Sequence, residues 1–357
     1  MNVLMIGVDK TSIGGMLTVA ENYLGSEEFC RKTNLVYIPT VIRAGKAIKV
    51  LAFLKVLPQI VRTIHKRKID VVHIHMGERG SVFREGAVAW LARQMGAKTI
   101  IHMHGATIED WYDRQKKPVQ RLASYLFSQA DRMLVLGYSW VPFMERAMGA
   151  GKKERITVLY NAVETRERNE YNSDAKNLLF YGVLVPRKGI DDLLRAFSLI
   201  LGQIPPEITL TVYGADLEHN ICEKIQSNGL EGRAVYCGWL HKQDQDRCFS
   251  QTMLNLLPSY NEGLPMTILE TMAYGIPNIA SNIAAIPEIV HDGENGCLTE
   301  PGKAEMLAEK MKALILDRSR RESYSQNAYR EIQEKCSLHT HLRRVYEIYE
   351  EITGECL

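Results

Sequence analysis

Ser259-Tyr260-Asn261-Glu262-Gly263-Leu264-Pro265-Met266-Thr267-Ile268-Leu269-Glu270-Thr271-Met272-Ala273-Tyr274-Gly275-Ile276-Pro277 is the stretch from which the fold can be read. The apolar run just before it, residues 254–257, has the length of a buried strand, and Pro265 suits the first turn of a helix. Gly275 with Pro277 beyond it predicts where that helix stops. Strand, loop and helix in this order make one step of a parallel α/β sheet. Free amides at the helix start favour an anion, most naturally a phosphate. Glu262 stands at that mouth, and Glu270 follows five residues after Pro265, about 7–8 Å along the axis. Two carboxylates flanking a phosphate cradle suit a ligand with hydroxyls on both sides of its phosphates, such as a sugar nucleotide. Spacing alone equally suits a helix with one charge near its start and one on a solvated face.

The same alternation runs outward along the chain. Strand-like runs recur at residues 2–8, 35–38, 70–74, 99–103, 132–136 and 156–159, with helical patterns between them. The rhythm pauses in the polar segment 164–174, a linker candidate, and restarts at 177–181, 207–213, 234–237, 254–257, 277–280 and 296–298. An amphipathic helix at 339–352 comes last. Two α/β domains in tandem, facing across a cleft, are expected. In open α/β sheets ligands bind beyond the carboxyl ends of the strands. Lys188 ends one such strand and can neutralise a diphosphate there, also as a leaving nucleotide gains charge. No G-x-G-x-x-G follows Gly7, so the first domain carries no dinucleotide fingerprint.

A length of 357 residues fits two domains at about 150 residues each. With 46% hydrophobic and 24% charged residues, disordered, collagen-like and small disulfide-scaffold classes are excluded. The net charge of +2 argues against a nucleic-acid binder relying on bulk basicity, but it hides a split. Residues 1–165 carry 24 Lys/Arg against 14 Asp/Glu (+10), and residues 166–357 carry 20 against 28 (−8). Within the basic half, residues 43–68 hold eight Lys/Arg and no acid, with Ile48, Leu51, Leu54, Leu57 and Val61 between them. Such a segment suits an anionic membrane surface, or a soluble helix with its apolar side turned inward. Seven cysteines without a C-x-x-C pair read as reduced thiols of a cytoplasmic protein. No signal peptide and no run of roughly 18 apolar residues is found, so the protein is soluble or peripheral on the inner face of the membrane.

The Glu-x7-Glu spacing of Glu262 and Glu270, with Gly263, Pro265, Leu269, Met272-Ala273, Gly275 and Pro277, resembles the signature of the family 4 retaining glycosyltransferases of GT-B fold. Ser281, Ile286-Pro287-Glu288-Ile289-Val290 and Gly293-Glu294-Asn295-Gly296 continue it, and the likeness covers nearly the whole chain. It implies an acceptor-binding Rossmann-like domain over 1–165, a nucleotide-sugar domain over 166–338, and a final helix, 339–357, packing back on the first. It further implies that Glu262 holds hydroxyls of the donor sugar and Glu270 the ribose. Gly14 and Gly15, Lys188, and the backbone of Gly263, Leu264, Pro265 and Met266 would hold donor sugar and phosphates. Gly238, Leu240 and His241 would line the base pocket, without separating uridine from guanosine. His104 would approach the donor sugar and complete the reaction centre. The family's phosphate-binding arginine is replaced by Val183, a loss for which the neighbouring Arg187 can compensate, and Ala162 stands where the family has glycine.

His73, His75, His102 and His104 alternate along two strands and could converge, but no acidic or thiolate partner lies at ligand spacing. No metal and no cofactor are therefore expected, and Asp244-Gln245-Asp246 reads as the polar start of a helix. The stretch Trp111-Tyr112-Asp113-Arg114 resembles loops of capsular, exopolysaccharide and lipopolysaccharide assembly enzymes. The implied activity is metal-independent, retaining transfer from a nucleotide-diphosphate sugar, taken as a UDP-sugar, to a glycan or lipid-linked glycan. The alternatives are a sugar-nucleotide 2-epimerase of the same fold and a non-catalytic partner subunit.

Overall fold

The structure is a computed structural model that describes residues 1–12, 14–41, 45–149 and 151–354. Arg43 of the basic segment, and Glu355 and Cys356 at the end of the chain, lie outside the described residues. The chain divides into two compact units, Met1–Asn161 with Leu338–Leu357, and Ala162–Ser337.

In the first unit the strands are β1 (Val3–Val8), β2 (Val36–Val41), β3 (Val71–Met76), β4 (Lys98–Met103), β5 (Arg132–Val135) and β6 (Ile156–Val158). They form one parallel sheet in the order β2-β1-β3-β4-β5-β6. The helices are α1 (Gly15–Gly25), α2 (Glu27–Lys32), α3 (Lys46–Arg67), α4 (Gly80–Gln94), α5 (Ile108–Asp113), α6 (Lys117–Phe127) and α7 (Val141–Met148). Every residue of β3 is buried, as expected of a parallel strand covered on both faces. The segment expected as a loop at Trp111–Arg114 is instead mostly helix α5, whose Asp113 and Glu109 both accept from Arg146. Acidic residues in the first turn and an aromatic edge contact between Trp111 and Phe83 favour the helix.

The second unit repeats the plan with β7 (Asn177–Tyr181), β8 (Thr209–Tyr213), β9 (Ala234–Tyr236), β10 (Thr252–Leu257), β11 (Asn278–Ser281) and β12 (Gly296–Thr299), ordered β12-β11-β10-β7-β8-β9. Its helices are α8 (Ile190–Ile200), α9 (Ile221–Ser227), α10 (Lys242–Ser250), α11 (Met266–Ala273), α12 (Ala304–Leu316) and α13 (Arg318–Lys335). Asp244-Gln245-Asp246 lies on α10. The polar segment 164–174 is not a free tether. Tyr329 donates to the Arg166 carbonyl at 2.7 Å, Asn169 to Ser325 at 2.9 Å, and Tyr171 to the Met253 carbonyl at 3.1 Å.

Helix α14 (Leu338–Thr353) follows the second sheet but belongs to the first unit. Tyr349 and His73 Nδ1 share a hydrogen bond of 2.6 Å, and His341 meets Tyr23 at 2.7 Å and the Tyr160 carbonyl at 2.9 Å. Helix α3 has two apolar sides. Ile60 and Ile64 are buried and Phe53 and Val56 pack on the core, while Ile48, Val50, Leu51 and Leu54 remain 55–59% exposed. Among the described residues no helix is long and apolar enough to cross a membrane. Because Tyr349 is fully buried, Tyr349→Ala is expected to destabilise the first unit by about 3–5 kcal/mol, read by chemical denaturation.

Candidate functional site

Strand order in the second unit reverses between β7 and β10, and the loops leaving these two strands flank the resulting crevice. Beyond β7 a tight turn, Pro186–Lys188, ends at Gly189 with φ +71°. A Cβ on Gly189 would sit 2.0 Å from the Pro258 carbonyl oxygen, so glycine alone lets this turn press against the loop leaving β10. The contact is sealed by Tyr260 N–H donating to the Arg187 carbonyl at 2.7 Å. Lys188 is thereby delivered to Glu262, Nζ to Oε1 2.5 Å, and the Ser259 hydroxyl donates to the same oxygen at 2.7 Å. Lys188 and Glu262 are 9% and 6% exposed, so the pair is a buried one. Arg187 is exposed and its guanidinium donates to the Asn261 carbonyl at 3.0 Å. In this state it braces the glutamate loop.

Helix α11 starts one residue later than the sequence suggests, with Pro265 as its cap and no side chain bonded to its first amides. Thr267 in that first turn keeps a buried hydroxyl without a partner. An uncapped helix start, a lysine and a carboxylate therefore meet at one strand end, which suits an anion bearing hydroxyls. Gly263 and Leu264 are buried between Glu262 and the helix. Further along α11, Glu270 accepts from the Tyr181 hydroxyl, which also donates to the Thr267 carbonyl at 3.3 Å. Burial raises the pKa of Glu270, and the Tyr181 hydrogen bond opposes that rise. Tyr181 packs in a small cluster with Leu240, so the proposed base-pocket residue and the second glutamate share a neighbour. Gly238 accepts from Gly214 N–H at 2.7 Å, and His241 is exposed at the head of α10.

In the first unit Gly14 (φ +122°) caps α1, and a hypothetical Cβ there would meet nothing within 4 Å. Asp9 shapes the approach, accepting from Thr11 N–H at 3.1 Å and from the Thr11 and Ser12 hydroxyls. Gly15 begins the helix. His104 follows β4, half-buried, with Nε2 2.9 Å from His75 Nδ1. Burial holds its pKa well below the ordinary histidine value. Its loop is clamped by Glu78, which accepts from Thr107 N–H at 2.8 Å and from the Thr107 hydroxyl at 2.5 Å. Neither Glu78 nor Tyr181 is signalled by the sequence pattern, because their partners lie 29 and 89 positions away.

Residues 162–331 match the model of the glycosyl transferases group 1, and residues 27–162 that of the glycosyl transferase 4-like domain. The chain belongs to the family 4 type of glycosyltransferase. It is 28% identical over 339 residues to an uncharacterised 41.2 kDa protein in the cps region of Klebsiella pneumoniae, spanning 87% of this chain and 89% of that one. It is also 28% identical over 255 residues to the amylovoran biosynthesis glycosyltransferase of Erwinia amylovora, spanning 67% of this chain and 60% of that one. HepE of Anabaena in complex with UDP-glucose superposes with a TM-score of 0.77 at 18% identity, covering 98% of this chain and 100% of that one. The GT-B fold of this glycosyltransferase is thus shared with solved structures.

The buried pair yields a stability test. Lys188→Met leaves Glu262 without its cation and is expected to cost about 3–5 kcal/mol in urea denaturation. The double variant Lys188→Met/Glu262→Gln should recover more than half of that loss, because no buried charge is then left alone.

Proposed function

We propose that this glycosyltransferase moves a sugar from a nucleotide-diphosphate sugar, a UDP-sugar, to a glycan or lipid-linked glycan in polysaccharide biosynthesis, with retention of anomeric configuration. The observation carrying this reading is the buried Lys188–Glu262 pair beside the uncapped start of α11. A pyrophosphate entering the crevice offers Lys188 a stronger anionic partner than one carboxylate. Glu262, released from the lysine, is then free to accept from sugar hydroxyls. Lys188 and the amides from Gly263 to Met266 stabilise the charge that develops on the departing nucleotide. Glu270, oriented by Tyr181, takes the ribose hydroxyls, while Gly238, Leu240 and His241 face the base. Gly14 and Gly15 allow close backbone approach to the phosphates. His104 is the first unit's catalytic candidate, and the acceptor is assigned to that unit.

Charge stabilisation by lysine and backbone amides supplies what a divalent ion would otherwise give the leaving diphosphate, so donor chemistry is assigned no metal or cofactor. Support for the substrate class comes from the amylovoran biosynthesis relative and from the UDP-glucose complex of HepE. Glu262→Ala is expected to lower transfer by at least about 100-fold. In wild type, a UDP-sugar should raise the melting temperature in a panel of nucleotide sugars, by mass action. Undiminished transfer by Glu262→Ala would overturn the role given to that residue.

The cytoplasmic placement extends to the inner face of a membrane through residues 43–68. The outward residues Ile48, Val50, Leu51 and Leu54 are left over after α3 has packed its other apolar side, and the exposed Lys55 and Arg62 lie on the same helix. Each cation near an anionic surface adds about 1 kcal/mol. In flotation with vesicles, the protein is expected to rise with phosphatidylserine-containing but not with phosphatidylcholine vesicles. Lys55→Glu/Arg62→Glu should abolish the difference.

A further inference from the structure

The first unit contains a cluster of side chains that the donor chemistry does not use. In the register of β3 and β4, His75 lies directly opposite His102, and His73 lies two residues before His75. The twofold side-chain period of a strand puts all three imidazoles on one face of the sheet. Their ring centroids are 4.8 Å apart for His73–His75, 5.4 Å for His75–His102 and 5.6 Å for His73–His102. All three residues are at most 1% exposed.

We infer that His73, His75 and His102 form a binding site for one transition-metal ion of the zinc class. The argument turns on hydrogen-bonding capacity. His73 is held through Nδ1 by Tyr349, and His75 through Nδ1 by His104. His73 Nε2, His75 Nε2 and both nitrogens of His102 are buried with no partner. Four such nitrogens at one spot are a concentration of unused hydrogen-bonding capacity that calls for an explanation. A tautomer protonated at Nδ1 presents a bare Nε2 lone pair, and a hydrogen bond from the other nitrogen is the usual support of a metal-bound histidine.

One candidate ligand atom from each residue lies within 4.8 Å of the others. A tetrahedral site with zinc–nitrogen bonds of about 2.0–2.1 Å needs its ligands about 3.3 Å apart, so binding draws the most distant pair together by about 1.5 Å. The His73 and His75 rings are stacked at 21°, so the imidazoles must also turn for their lone pairs to converge on one ion. An all-imidazole set selects zinc-class ions over magnesium or calcium, which take oxygen ligands. With no carboxylate or thiolate in the cluster, the fourth position goes to water or hydroxide. Half-buried His104 lies beside the cluster, its ring 4.2 Å from that of His102. The ion would cross-link β3 to β4 just before the loop that carries His104. It takes no part in the transfer step, so the inference stands independently of the proposed donor.

The test uses the untagged full-length protein, stripped with chelator under native conditions and then given Zn2+ or Co2+ alone. One ion per chain is expected by equilibrium dialysis, with a higher melting temperature and the intense visible bands of four-coordinate cobalt. His102→Gln should weaken binding by at least about tenfold, and Tyr349→Phe, which removes only the hydroxyl, by about tenfold. Failure of the wild type to bind, a weak six-coordinate cobalt spectrum, or unchanged affinity in folded His102→Gln would each overturn the inference. If His102→Gln does not fold, the wild-type cobalt spectrum and stoichiometry decide alone.

Discussion

The approach of Gly189 to the Pro258 carbonyl is the constraint on which the second unit's site depends. Any side chain at 189 would push the turn away from the loop leaving β10, since even a Cβ has no room. Without that contact Lys188 could not be sunk beside Glu262, and Glu262 would keep only the Ser259 hydroxyl as a side-chain partner. A lysine and a glutamate so little exposed are held at the expense of their hydration, and their mutual attraction largely offsets that loss. Such a pair is better understood as a site holding its own charges in place than as a source of stability. Each partner becomes available when a ligand supplies a better one. The brace from Arg187 to Asn261 fixes the same loop from its exposed side.

What was legible in the sequence follows from what is local. Twelve short β-rich runs each mark a strand, because a parallel sheet buries both faces and demands continuous apolar residues. Glu262, Gly263, Pro265 and Glu270 are set by one loop and one helix, so their spacing already orders them. Pairings between distant segments were not legible. Tyr181 reads as an ordinary apolar strand end, and only the fold reveals that its hydroxyl meets Glu270. Arg187 reads as a phosphate ligand by default, since nothing nearby predicts the Asn261 carbonyl as its partner. The polar segment 164–174 has the composition of a tether, yet the Arg166 carbonyl and the Asn169 side-chain amide bond to α13 and the Tyr171 hydroxyl bonds to β10.

Helix α3 shows how a composition signal can be correct in kind and incomplete in detail. A basic amphipathic pattern suggests one apolar face, which could turn either inward or toward lipid. The structure gives the helix both. Phe53, Val56, Ile60 and Ile64 satisfy the core, and four further apolar residues are left over on the outside. Burial of the first set removes the objection that the second is simply the packing face of a soluble helix. Part of the +10 balance of the first 165 residues sits on this helix, where Lys55 and Arg62 are exposed.

The first unit is also completed last. Tyr349 and His341, near the end of the chain, hydrogen-bond to His73, Tyr23 and the Tyr160 carbonyl. A chain emerging in order therefore makes all six strands of the first sheet well before the helix that covers this part of it. Until α14 docks, His73 lacks the Tyr349 hydroxyl and one face of β3 lacks part of its cover. The second unit has no such dependence, because its strands and helices lie between Ala162 and Ser337. Return of the last helix thus makes the integrity of the histidine-bearing sheet depend on residues 338–354, and a product lacking them would keep the second unit while leaving the first incomplete.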